Sequence, residues 1–306
     1  MSSKSIDASP GHIPVLLHES LVGLAIKKGG TYADATTNRA GHSLEIAKAI
    51  GKSGRLICID LDQDALEEAE KKFKKIKNLP GIYFVHSNFR HIKAILSEHK
   101  IKAIDGILID LGLSSQELDS SGRGFTFQKN EPLQMTFDAH PDEEMTTAYD
   151  IVNFWSESTI TDILYGFADE TYSRRIAHAI VMRREISPIK TTRELVDVIA
   201  SAVPALYRHK RTHFATKTFQ ALRMAVNDEL GSIQELLESL PHILKKGGRS
   251  CFITFHSTED RLVKQGIRAH SDTLRPVNKK AIFPGEEELK TNPRARSAQL
   301  RIIEKI

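Results

Sequence analysis

Short apolar runs bounded by turn-forming residues recur at about 31–36, 55–59, 82–86, 104–111, 249–255 and 298–303, and each predicts a buried strand. Helical periodicity fills the gaps between the early ones. Leu44, Ala47 and Ile50 share one face of a helix that starts at Gly41-His42-Ser43, and Leu66, Ala69 and Phe73 give the charged stretch 67–77 the stripe of an amphipathic surface helix. This alternation predicts a doubly wound α/β sheet. The longest stripe, Phe219, Leu222, Val226, Leu230, Ile233, Leu237, Leu240 and Leu244, predicts one long helix kinked or restarted at Pro241, with Gly247-Gly248 turning the chain into the fifth strand.

From Asp110 to Phe252 the chain is far longer than one parallel crossover requires. Helical patterns fill the surplus at Ala148–Trp155, Thr159–Tyr165, Tyr172–Arg184 and Thr192–Val203. The expected division is therefore 1–120 as the first part of a sheet domain, 121–212 as an inserted, mainly helical substrate-recognition domain, and 213–306 as the sheet domain's second part. Following a strand's carboxyl end, the insertion is expected over the crevice where open α/β sheets bind ligands.

The first strand and loop, Tyr32-Ala33-Asp34-Ala35-Thr36-Thr37-Asn38-Arg39-Ala40-Gly41, run into a helix, and the next strand closes on Asp60 about twenty residues later. Such a strand, loop and acid suit a nucleotide-type cofactor, either a dinucleotide or S-adenosylmethionine. The loop is not G-x-G-x-x-G, which disfavours close approach to a pyrophosphate, and Asp34 would repel one while orienting donors around a cationic amino acid. A merely tight first turn in some other α/β protein would leave the same local pattern.

Charge and composition narrow the classes. No apolar run reaches membrane-spanning length, and Met1-Ser2-Ser3-Lys4-Ser5 opens no apolar export signal, so a cytoplasmic protein without membrane contact is expected. Cys58 and Cys251 lie within strand-like apolar runs and read as packing residues; the thirteen histidines show no ligand spacing, so no metal is expected. The formal net charge is +4, but Arg174-Arg175, Arg183-Arg184 and Arg208-His209-Lys210-Arg211 concentrate cations in one stretch and favour a polyanion such as RNA over a set of solvated helix faces. Salt-sensitive RNA binding through Arg208, Lys210 and Arg211 follows as an expectation.

The fourth strand ends in Asp110-Leu111-Gly112-Leu113-Ser114-Ser115, where an acid and hydroxyls would meet the cofactor's reactive end. Methyl transfer to an exocyclic amine needs acceptors that hold the amine's hydrogens for in-line attack, and Asp110 can be one; it can equally cap the turn that follows. Phe255-His256-Ser257-Thr258-Glu259-Asp260-Arg261 after the fifth strand and Asn292-Pro293-Arg294-Ala295-Arg296-Ser297 before the last are expected at the same rim, with Arg294 and Arg296 placed to hold phosphates. Ser257 to Asp260 also reads as a helix start. The catalytic candidates are Asp110, Ser114 and His256.

Taken together, His12-Ile13-Pro14-Val15-Leu16-Leu17, Asp34-Ala35-Thr36, Gly41-His42-Ser43, Asp110-Leu111-Gly112-Leu113-Ser114-Ser115, Arg123-Gly124-Phe125-Thr126-Phe127, Thr218-Phe219-Gln220-Ala221-Leu222-Arg223, Phe255-His256-Ser257 with Glu259-Asp260-Arg261, and Asn292-Pro293-Arg294-Ala295-Arg296-Ser297 closely resemble the bacterial 16S ribosomal RNA cytosine-N4 methyltransferases, over nearly the whole chain. The resemblance implies a class I S-adenosylmethionine-dependent methyltransferase that modifies a cytosine in the decoding region of 16S RNA within the small ribosomal subunit. It implies a cofactor pocket of Ala40, Gly41, His42, Asp60, Phe89, Asp110 and Glu117, to which the loop reading adds Asp34. A homodimer stays open.

The chain departs from that family's pattern at several points. Asn38 and Ala40 stand where glycines are usual, Gln116-Glu117 replaces Pro-Gln, Gln134 and Thr136 replace an acid and an arginine in Pro132-Leu133-Gln134-Met135-Thr136, and Phe167-Ala168-Asp169-Glu170 replaces Tyr-Gly-Glu-Glu. These changes motivate a competing reading, a non-catalytic ribosome-assembly or RNA-binding protein on a degenerate methyltransferase fold, which cofactor affinity would separate from the enzyme. A C5-methylating enzyme lacks its cysteine nucleophile here, and a nicotinamide oxidoreductase lacks its glycine motif.

Overall fold

The computed structural model describes residues 14–112, 121–141 and 144–306. Strand and helix alternate at first, as α1 (Leu17–Leu24), β1 (Thr31–Asp34), α2 (Gly41–Ile50), β2 (Arg55–Asp60), α3 (Gln63–Phe73), β3 (Gly81–His86), α4 (Ile92–Glu98) and β4 (Ile104–Asp110). A helical stretch follows: α5 (Ala148–Phe154), α6 (Glu157–Ala168), α7 (Ser173–Ile186), α8 (Thr192–Ala202), α9 (Ala205–Arg208), α10 (Thr216–Val226) and α11 (Glu229–Ile243). The chain closes with β5 (Leu244–Thr254), α12 (Ser257–Ala269), β6 (Leu274–Pro276), α13 (Glu286–Thr291) and β7 (Gln299–Lys305).

The seven strands form one sheet in the order β3-β2-β1-β4-β5-β7-β6. Pairs among β1 to β5 are parallel, and β7 runs antiparallel to both its neighbours. This is the class I methyltransferase sheet that the resemblance implies. Leu56 to Ile59 and Ile107 to Ile109 are fully buried, the continuous apolar run expected of parallel strands covered on both faces. Strand order reverses between β1 and β4, which creates a crevice at their carboxyl ends.

Two compact units divide the chain. The first comprises the described residues through Gly112 with Leu236–His256 and Val263–Ile306; the second comprises those from residue 121 through Glu235 with Ser257–Leu262. The second unit has its own core, built on Ile151, Ile160, Leu164, Ile176, Ile180, Leu195 and Ile199. Helix starts within it are well specified: Thr147 with Asp150 and Thr191 with Glu194 form capping boxes at α5 and α8. The apolar face of α10, with Phe219 and Leu222, belongs to this core, so the helical packing continues past residue 212, where the sequence pattern closes it.

The stripe from Phe219 to Leu240 is two helices, not one, with the break at Asn227-Asp228 rather than at Pro241; Leu244 already opens β5, so Gly247-Gly248 lie inside that strand instead of turning the chain into it. Asp228 takes the left-handed conformation at φ 44°, which ends α10. Asn227 fixes the corner: its amide donates to Met135 O (2.8 Å) and Arg223 O (2.9 Å), and its Oδ1 accepts from Phe137 N (2.7 Å). Pro241 lies within the end of α11. β6 escaped the sequence pattern because it is a three-residue edge strand containing Pro276.

Candidate active site

The site grows from a difference in strand length. Asp34, the last residue of β1, pairs with Cys58 on one side and Leu108 on the other, so β2 and β4 each run two residues further, to Asp60 and Asp110. At about 3.3 Å per residue the two flanking aspartates overhang Asp34 by roughly 7 Å. The loop 35–40 fills this notch.

Each wall of the notch is tied to the loop by the backbone. Ala35 N donates to Leu108 O, Thr37 N to Ile59 O and Ala40 N to Thr37 O, all at 2.8–2.9 Å. Asn38 N donates to Asp60 Oδ2 at 2.6 Å, and Asp62 N donates to Asp60 Oδ1 at 2.9 Å, so two backbone donors set the plane of the Asp60 carboxylate. On the other wall, Asp110 N donates to Thr36 Oγ1 at 2.7 Å. The Asp110 carboxylate accepts Gly112 N on Oδ1 at 3.2 Å, so the residue does cap its turn, and its Oδ2 lies 3.9 Å from His42 Nδ1. A Cβ on Gly112 would approach the Phe255 ring to 2.7 Å, which explains a glycine there.

Asp34 itself is buried. Ser43 Oγ and Thr36 N donate to its carboxylate, yet burial pushes its pKa up to about 6 against those bonds. His42 is also buried, and its Nε2 must carry a proton because it bonds the carbonyl of Val15 at 2.9 Å; Nδ1 is thereby left facing Asp110. Two loop residues, Asn38 (φ 50°) and Ala40 (φ 63°), adopt the left-handed conformation. That is why glycine suits these positions, and Asn38 meets the demand better than Ala40 does. Gly41 opens α2 against the Pro14 ring, which a Cβ would meet at 3.2 Å.

The remaining candidates of this unit lie at the same carboxyl edge. Phe89 stands on a one-turn 3-10 helix (Phe89–His91) directly after β3, whose last residue pairs with Asp60. His256 follows β5, two residues past Thr254, and leads into α12. Arg294 and Arg296 are exposed on the 3-10 segment Pro293–Ser297, which delivers the chain to the start of β7 beside Thr254. Ser114 and Glu117 lie outside the described residues.

A family model described as the MraW methylase family matches residues 9–306. The chain belongs to that family. It is 43% identical over 312 residues to "Ribosomal RNA small subunit methyltransferase H" of Halothermothrix orenii, covering 96% of this chain and 98% of the relative. Relatives of the same name from Acetivibrio thermocellus, at 43% identity, and Clostridioides difficile, at 41%, each cover 96% of this chain and 99% of their own length.

As an MraW-family methylase the chain is a methyltransferase that uses S-adenosylmethionine, and the notch suits that cofactor's charge. S-adenosylmethionine carries a sulfonium and an ammonium group, and three carboxylates, Asp34, Asp60 and Asp110, converge on the strand ends that frame the loop. The loop's one cation, Arg39, is paired with Glu68 at 3.1 Å. Both cysteines are buried, and burial pushes their thiols well above the usual range, which removes them as nucleophiles. Among the described residues no metal-binding cluster and no helix long and apolar enough to cross a membrane occurs.

In the second unit Arg208, Lys210 and Arg211 are exposed at and after α9. Lys210 Nζ sits 4.9 Å from the centre of the Tyr207 ring, and the Tyr207 hydroxyl donates to the fully buried Glu170 at 2.9 Å. Burial, then Glu170, raises the Tyr207 pKa, keeping the phenol protonated and the contact intact. The sequence motifs contain Thr36, Ser43 and Glu170 but assign no role to them or to the Glu170–Tyr207 pair. The first two are hydroxyls placed within reach of strand-end acids, a signal present in the sequence; the pair depends on a fold-back over 37 residues.

Proposed function

We propose that this chain transfers the methyl group of S-adenosylmethionine to N4 of a cytosine in the decoding region of 16S ribosomal RNA, within the small ribosomal subunit. Near-full-length identity above 40% to relatives named ribosomal RNA small subunit methyltransferase H carries the RNA assignment; the cytosine and its N4 rest on the motif resemblance. The cofactor supplies an electrophilic methyl group on a sulfonium.

Asp60, its plane set by Asn38 N and Asp62 N, accepts the ribose hydroxyls, and Phe89 flanks the adenine. Asp34 acts indirectly, holding Ser43 and Thr36 so that Ala40, Gly41 and His42 keep the loop's shape. Asp110 accepts a hydrogen of the target amine, orients its nitrogen for attack and takes up the proton released as the nitrogen–carbon bond forms. Ser114 and His256 are the further candidates for holding the target base. Arg294 and Arg296 on the sheet unit, and Arg208, Lys210 and Arg211 on the helical unit, neutralise phosphates of the bound RNA.

The second unit, with its own core and its exposed basic segment, is the proposed substrate-recognition domain. The test is methyl incorporation from labelled S-adenosylmethionine into small subunits by the wild type and Asp110→Ala. Incorporation that falls about a hundredfold in the variant at saturating cofactor supports the assignment; equal incorporation contradicts it.

A further inference from the structure

The parallel sheet has a second edge, and its charge is the reverse of the first. β1, β2 and β4 end on Asp34, Asp60 and Asp110. At their other end, the connections into β1 to β4, residues 25–30, 51–54, 74–80 and 99–103, and the opening residues 244–248 of β5 carry ten lysines and no aspartate, glutamate or arginine. Because β1 to β5 are parallel, these five segments line one edge, and all ten lysines are exposed. Two have carboxylate partners: Lys74 lies 2.9 Å from Glu70, and Lys245 lies 2.7 Å from Asp105.

Solubility alone does not call for such segregation. The chain as a whole is nearly balanced, with 43 Lys and Arg against 39 Asp and Glu. On α3 the same residue type is interleaved with acids, Glu67, Glu68 and Glu70 beside Lys71 and Lys72. At the lysine edge a groove of about 400 Å³ adds shape to charge: Lys93, Lys100, Lys102 and His242 surround it over apolar Leu96 and Ile243. Lysine presents a point charge on a flexible stem, without the planar fork that reads bases, and so suits sequence-independent phosphate contact.

We propose that this amino edge is a second RNA-binding surface, which grips the phosphodiester backbone of the same substrate far from the target base. It rests on the proposed RNA substrate. β4 spans seven residues, so the two edges are separated by roughly 20 Å. RNA held here therefore lies several nucleotides or more from the base presented to Asp110. The edge contributes affinity and orientation, not base choice, and suits a large folded RNA better than a short oligonucleotide.

The test is a triple variant, Lys28→Glu with Lys102→Glu and Lys246→Glu, compared with the wild type and with the same three positions changed to Arg. Binding to unmethylated small subunits and to anionic phospholipid vesicles is measured across a salt series, and cofactor affinity by calorimetry. The expected result is subunit affinity about tenfold weaker, with a log–log salt slope shallower by about 2–3, restored by the Arg variant. Cofactor affinity should not move; should the Glu variant fail to fold, the corresponding Gln variant is read instead. Unchanged subunit affinity and slope would overturn the proposal while leaving methyl transfer standing. Loss of vesicle binding alone would overturn it in favour of a membrane surface, and a wild type that does not bind subunits would overturn it too. If subunits are bound through these lysines but not methylated, the surface stands and the proposed reaction falls.

Discussion

Ala40 shows how one residue records the demands of the loop. It is fully buried with φ 63°, a conformation that costs an L-residue about 1–2 kcal/mol. Ala40→Gly should therefore stabilise the protein by about 1 kcal/mol, seen as a higher denaturation midpoint, part of the gain being returned to the more flexible unfolded chain. Asp60→Ala should weaken cofactor binding by about 10–100-fold in calorimetry, the scale of a lost hydrogen bond to a charged group, with less effect on turnover at saturation. Asp34 makes a pH prediction. Its folded pKa, pushed up by burial to about 6, exceeds the unfolded value near 4, so its contribution to stability is fully present below about pH 4 and is lost as pH rises through 6. Asp34→Asn should flatten that fall when denaturant unfolding is compared near pH 4 and pH 7; an unchanged profile would assign the fall elsewhere. These acids were legible in the sequence because each ends a strand. What the carboxylates touch was not, since the partners Thr36 and Asn38 are set by loop conformation.

Elements were legible wherever one periodicity ran uninterrupted. β1 to β4 and α5 to α8 were read close to their observed bounds because burial writes the apolar pattern directly, whereas β5 starts at Leu244, five residues before its apolar run, through the polar stretch Lys245–Gly248. The long stripe misled, because its period continues through Asn227 and Asp228 while a left-handed residue turns the chain. That corner is held by tertiary contacts to Met135 and Phe137, about ninety residues away and invisible to local pattern. Asn227→Ala removes all three side-chain bonds and should destabilise the protein by about 2–3 kcal/mol in equilibrium unfolding. The substituted Gln134 and Thr136 lie beside this corner. Thr136 is buried, its hydroxyl donates to Asp138 O at 2.9 Å, and its carbonyl accepts Arg123 at 2.9 Å. The segment is thus held mainly by backbone contacts that do not depend on an acid and a base at these positions.

At the scale of the whole molecule, charge sorts by place: aspartates at the carboxyl ends of the sheet, lysines at the amino ends, and an exposed basic segment after α9 in the helical unit. The cofactor notch was legible in the chain because it is local, one strand, one loop and the next strand. The lysine edge was not, because its five segments are scattered through the chain and meet only once the strand order is known. Arg208→Glu with Lys210→Glu and Arg211→Glu should lower subunit affinity and make the salt slope shallower by about 2–3 without changing cofactor affinity. The most direct test of the proposed function is to incubate the protein with S-adenosylmethionine and small ribosomal subunits that lack cytosine methylation, then analyse the 16S RNA nucleosides by mass. Formation of N4-methylcytidine, slowed about a hundredfold by Asp110→Ala, is the predicted result; intact binding of cofactor and subunit with no N4-methylcytidine formed would contradict it.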